Sequence, residues 1–144
     1  MRIPLAGLLL LITLRGQAPA QDRHYSQGPV IDISYVRVNP GMFDKYMQWL
    51  ATDWKRNLEA QKKEGIILDY AVYQSRQQNE HDWNIALAVT YPNMAAFDNL
   101  RDRTEPIATR TLNLTREQLA QASIERGAMR EQIGGRLLRQ LRLR

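Results

Sequence analysis

The order of patterned segments after residue 28 constrains this chain more than any single residue does. VIDISYVRV (Val30–Val38) alternates along its length with the period of a strand, and Asn39-Pro40-Gly41 breaks it. Phe43, Met47, Leu50, Trp54 and Leu58 then recur every three or four residues, which predicts a helix from about Met42 to Glu64 with Gly65 as its stop. Two further alternating runs, Ile66–Gln74 and Trp83–Tyr91, flank the polar segment 75–82 and predict a hairpin. Beyond Pro92, Asn93 is a candidate N-cap for a short helix over Met94–Leu100. Residues 101–114 read as an irregular polar connection around Pro106. Thr115 and Gln118 have the spacing of a capping box that opens a helix to about Arg130, and Gly134-Gly135 is expected to end it. A last strand is expected over Arg136–Leu141.

The resulting order is β-α-β-β-α-β, an α+β chain with the pattern of a ferredoxin-like antiparallel sheet. Residues 30–144 are expected to form that single domain, behind a flexible polar lead-in at 21–29 that carries Gly28-Pro29. Residues 1–20 have the features of a secretory signal: Arg2, the apolar run Leu5–Leu14 and the cleavage pattern Ala18-Pro19-Ala20. Cleavage would leave Gln21 first and give an exported, periplasmic or secreted protein with no stable membrane association. The chain has no cysteine, so an exported product takes its stability from packing and assembly, not from disulfides.

The formal charge is +5; loss of Arg2 and Arg15 with the signal leaves 18 basic and 15 acidic side chains, a net charge of +3. The basic excess sits late, from Arg116 to Arg144, with no interleaved aromatic residue. It reads as a solvated helix face and tail, with no nucleic-acid partner.

The three strands suggest a common asymmetry. Ile31, Ile33, Leu68, Val72, Ile85, Leu87 and Val89 are taken as the face that helices bury. Asp32, Ser34, Asp69, Ala71, Tyr73, Asn84, Ala86, Ala88 and Thr90 are taken as the opposite face. A strand face bathed in water usually carries Lys and Glu, and this one carries neither, so a shared cavity or a wet interface with a second sheet is expected. Asp32, Ser34, Asp69, Tyr73, Asn84 and Thr90 are therefore the candidate ligand-contacting residues, with Tyr35, Arg37 and Trp54 in a second tier. Two carboxylates on one inner face invite two readings. They are raised-pKa acids in a cavity, or partners of Arg37, Arg76 or an arginine of a second chain.

The stretches YVRVNPGMFDKYMQWLATDW and VTYPNMAAFDNL resemble the dimeric α/β-barrel superfamily, which includes antibiotic-biosynthesis monooxygenases, EthD-like proteins and stress-responsive barrel proteins. The resemblance covers about Val30 to Leu100. It rests on Val38, Pro40, Gly41, Phe43 and Tyr46 at the first strand-to-helix turn, and on Tyr91, Asn93, Met94 and Phe97 at the second. It implies two protomers packing their sheets into one barrel. It specifies fold more than activity.

Chemistry is sparsely marked. His24 and His81 fall in the lead-in and the hairpin loop, away from any helix that could present a haem ligand, and no phosphate-loop, dinucleotide or zinc-protease motif is present. No cofactor and no metal are expected, and a Ser-His-Asp triad has no base to draw on. The leading expectation is an exported homodimer that binds a small apolar or aromatic molecule in its lumen. The alternatives are a cofactor-independent monooxygenase-like enzyme and an interaction protein with a filled lumen.

Overall fold

A computed structural model describes residues 23–144. The expected signal at 1–20 and the first residues of the lead-in lie outside the described residues. The element order is β1 (Tyr25–Val38), α1 (Phe43–Trp49), a π turn (Leu50–Trp54), α2 (Lys55–Lys63), β2 (Asp69–Gln74), β3 (Ile85–Tyr91), a short 3-10 turn (Met94–Phe97), α3 (Leu100–Leu112), α4 (Arg116–Gly127) and β4 (Arg130–Leu143). The chain is α+β, with one four-stranded antiparallel sheet in the order β2-β3-β1-β4.

The turn chemistry follows the sequence. Gly41 (φ +76) and Gly65 (φ +72) take left-handed conformations just after β1 and just after α2, which a side chain would strain. Thr115 and Gln118 close a full capping box on α4. Asn93 accepts from the Ala96 N–H at the start of the 3-10 turn. The α1–π–α2 rod is continuous and lies within one residue of its expected ends.

Three elements depart from expectation. Tyr25–Pro29 belongs to β1, where Tyr25 to Gln27 pair with Leu141 to Leu143, so most of the expected flexible lead-in is strand. Residues 101–114, read as irregular, are mostly α3, with Pro106 inside it. The proline removes one helical hydrogen bond, but Ile107 is 1% exposed and packs with Leu58, Ile67 and Tyr91. Burial of that side chain, worth roughly 2–3 kcal/mol, offsets most of what an interior proline costs. Gly134-Gly135 does not end a helix: both lie in β4, beside a bulge where Gln132 and Gly134 face Val36 and Tyr35. A Cβ on Gly135 would stand 2.8 Å from the Ile33 carbonyl oxygen, so close strand approach explains the glycine.

One side of the sheet carries the core. Val36, Val38 and Ile85 pack on Tyr46 and Leu50 of the rod and on Met129. Tyr91 packs with Leu58, Ile66, Ile67 and Ile107. Trp54 touches both clusters and meets Tyr70 edge to face at 5.3 Å. The rod and α3 therefore lie on the same side of the sheet.

Candidate functional site

Register assigns each strand residue to a face, since directly opposed residues in an antiparallel pair point the same way. Val36 opposes Ile85 and Val30 opposes Tyr91, all buried beneath the helices. Asp32 and Ser34 share their parity and so lie on the helix side, opposite Val89 and Leu87. Ile31, Ile33 and Tyr35 take the other side. The expected assignment holds for β2 and β3 and is inverted for β1. The reason is in the ends of β1: Val30, Val36 and Val38, not the central isoleucines, are its most deeply buried residues.

The face left without a helix among the described residues is consequently more apolar than the sequence pattern implied. It is built in three rungs across β1, β3 and β2: Tyr35–Ala86–Tyr73, Ile33–Ala88–Ala71 and Ile31–Thr90–Asp69. Ala86 and Ala88 are 4% and 6% exposed, shielded by larger neighbours, while Tyr73 is 58% exposed. The middle strand is thus the floor of a trough, with Ile31, Ile33 and Tyr35 as one wall and Tyr73 at the other. Trp83 packs on Tyr35 at 4.9 Å and extends that wall. On the far side of β1, Leu138 opposes Ile31 and is half exposed.

The polar candidates do not gather in this trough. Asn84 is committed to the backbone, its Oδ1 accepting from the Val38 N–H at 2.9 Å. Asp69 accepts from Lys62 Nζ at 2.9 Å, a contact that holds its carboxyl below the usual range and Lys62 above its own. Asp32 differs: burial pushes its carboxyl up. The two aspartates are separated by the sheet, and the second reading, an ion pair, holds for Asp69 with Lys62 in place of an arginine. Arg37 donates to the Glu80 carbonyl at 2.6 Å and to Glu131 at 2.5 Å, tying β1 to the hairpin loop and to β4. Tyr73 and Thr90 do sit on the open face, two rungs apart. His24 and His81 are exposed, and no group of three metal-ligating side chains occurs among the described residues.

A second concavity lies between the helices. A cleft of about 350 Å³ separates the rod from α3 and α4. Trp49, Trp54, Asn57 and Gln61 line it from the rod, Ala108 and Leu112 from α3, Leu119, Ala122 and Arg126 from α4. The Arg126 guanidinium stands 4.8 Å from the centre of the Trp49 ring, and burial lowers its pKa, as does the neighbouring charge of Arg130. Asn57 Oδ1, Arg126 Nε, Arg130 Nε and the Tyr46 hydroxyl are buried with no hydrogen-bond partner among the described residues. Arg130 draws near the Tyr46 hydroxyl without hydrogen-bonding geometry. Each such atom carries a desolvation cost of about 1–3 kcal/mol. Trp54, expected in the second tier, does line this cleft. Trp49, Asn57, Gln61 and Arg126 were not among the sequence candidates. The spacing 49, 53, 57, 61 along one helix face was the available signal, and it reads equally well as core.

No family model matches the chain, and no curated relative matches it. Among solved structures the fold is similar to that of HapK from Hahella chejuensis, with a TM-score of 0.50 and 14% identity over 77% of this chain and 91% of that one. At that identity the likeness speaks for the fold alone. Among the described residues no helix is long and apolar enough to cross a membrane.

Proposed function

We propose that this protein is an exported homodimer of ferredoxin-like protomers, which press their open sheet faces together as a dimeric α/β barrel and hold a small apolar or aromatic molecule in the lumen. The trough carries this reading. Ile31, Ile33, Tyr35 and Leu138 form an apolar surface that water covers poorly, and beside it the low Ala86–Ala88 floor, with Tyr73 beyond it on β2, leaves a depression that a facing sheet would roof. Export rests on Arg2, Leu5–Leu14 and Ala18-Pro19-Ala20. No observation favours an oxygenase: Asn84 and Asp69 are spent on Val38 and Lys62, and Asp32 lies across the sheet.

Light scattering at micromolar concentration is expected to give a dimer. Ala88→Glu should dissociate it, weakening association at least 100-fold, about 2.7 kcal/mol, because two charges would be buried against apolar walls. Titration with 2-naphthol, a neutral aromatic probe, tests the lumen: a protein whose interhelical cleft is filled by Ala122→Met should bind it, and the same protein carrying Ala88→Leu, which fills the trough, should not. A folded wild-type monomer, or a dimer indifferent to Ala88→Glu, overturns the assembly. A dimer whose 2-naphthol binding survives Ala88→Leu in that background overturns the ligand site. Expression in an exporting bacterium should yield a product beginning at Gln21 by mass spectrometry.

A further inference from the structure

The interhelical cleft is a different place from the trough, on the opposite side of the sheet, and no strand residue lines it. From its geometry we infer that it is a binding site for a small planar aromatic anion, a ring system bearing a carboxylate or an equivalent acidic group.

Four observations converge on this. The cleft has the volume of a small-ligand site and walls that are mostly apolar, with Trp54 among its lining and Trp49, stacked on Tyr46 at 5.6 Å, holding Arg126 over its ring. The cationic end is only partly compensated. Asp53 is close enough to favour the Arg126 charge but itself pairs with Arg56 at 3.2 Å, and Glu105 is held by Arg101 and Arg116. Arg126 instead lies over Trp49 with its Nε buried and without a partner, beside a second guanidinium at Arg130. An anion placed there would accept from Arg126 and relieve the repulsion between the two arginines. At the other wall, Asn57 Oδ1 is a buried acceptor without a donor, which a ring hydroxyl or N–H would supply. Finally, the π turn at Leu50–Trp54 sits at the cleft. Such turns hydrogen-bond less favourably than α-helix, and they recur at functional sites because the extra residue re-aims the side chains around it. Asp53 and Trp54, the last two residues of the turn, both line the cleft.

The test is calorimetric titration of the intact protein with 2-naphthoate, and with 2-naphthalenemethanol as its uncharged counterpart. The site should bind naphthoate at least tenfold more tightly than the alcohol. Arg126→Gln should erase that preference and Arg126→Lys should restore part of it. In a protein whose lumen is closed by Ala88→Leu, adding Ala122→Met, which fills the cleft without touching the charge, should remove binding of both probes while the circular dichroism spectrum stays that of the wild type. Ala88→Leu in the trough should leave naphthoate binding unchanged. This outcome does not depend on the lumen reading, since either site can fail alone. The inference is overturned if naphthoate does not bind at millimolar concentration, if it binds no better than the alcohol, or if binding is lost with Ala88→Leu and kept with Arg126→Gln.

Discussion

The two faces of this sheet solve the same problem with different materials. Beneath the helices, Val36, Ile85, Leu87 and Val89 present branched side chains that fill the space between a sheet and a rod held by the same chain. On the other face β3 offers Ala86, Ala88 and Thr90, flanked on the β1 side by the larger Tyr35, Ile33 and Ile31 and on the β2 side by Tyr73, Ala71 and Asp69. A covered face must fill its volume, because a void forfeits contacts with nothing in return. A face awaiting a partner can be stepped, so that the two surfaces interlock or enclose a space. Large residues therefore mark the intramolecular core here, and the run of small ones marks the face on which the proposed dimer would close.

Four substitutions can break or sharpen this contrast. The largest effect is expected from Ile85→Ala, which opens a cavity in the helix-side core. It should cost about 2–5 kcal/mol in denaturant unfolding, far more than the same truncation of a half-exposed open-face residue such as Leu138. If the two costs are similar, the open face is as filled as the core and the contrast fails. Asn84→Ala comes next. It strips the Val38 N–H of its acceptor at the margin of the core and should cost about 1–3 kcal/mol.

Asp32→Asn places a neutral isostere on the helix side, where burial raises the native carboxyl. A carboxyl whose folded pKa lies above its unfolded value of about 3.9 binds its proton more tightly when folded, so its ionisation works against folding. The variant should melt above the wild type at pH 7. That advantage should shrink as pH falls through the folded pKa and vanish below about pH 3.9, where both states of the wild type are protonated. A variant that melts lower at pH 7 would mean the charge has a partner. The smallest effect belongs to Tyr73→Phe on the open face: the residue is largely exposed, so the loss should stay within about 0.5 kcal/mol for the protomer. A loss of more than 1 kcal/mol would place that hydroxyl in a buried, hydrogen-bonded interface.

Much of the fold was legible because its signals are local. Strand alternation, the glycines after β1 and α2 and the Thr115–Gln118 box each depend on neighbours within a few residues. α3 was hidden by its proline and its polar surface, since only Ile107 carries the burial that holds it. The candidate site was partly legible. Tyr73 and Thr90 were placed on the open face through their own strands' alternation. Asp32 and Ser34 were misplaced because β1 is apolar at odd positions in its centre and at even positions toward its ends, and alternation alone does not say which set the helices choose.

By itself the sequence determined the types and order of most elements, α3 and the start of β1 excepted, and the capping of α4, since these are set by backbone preference and by spacing along the chain. Only the tertiary structure decided which face of β1 is inside, that Asp69 belongs to Lys62 and Asn84 to Val38, and that Arg126 stands over Trp49 from 77 positions away. Those are contacts between distant segments. Their partners are chosen by how the helices settle on the sheet, where the burial of Val30, Val36 and Val38 outweighs the alternation of the residues between them.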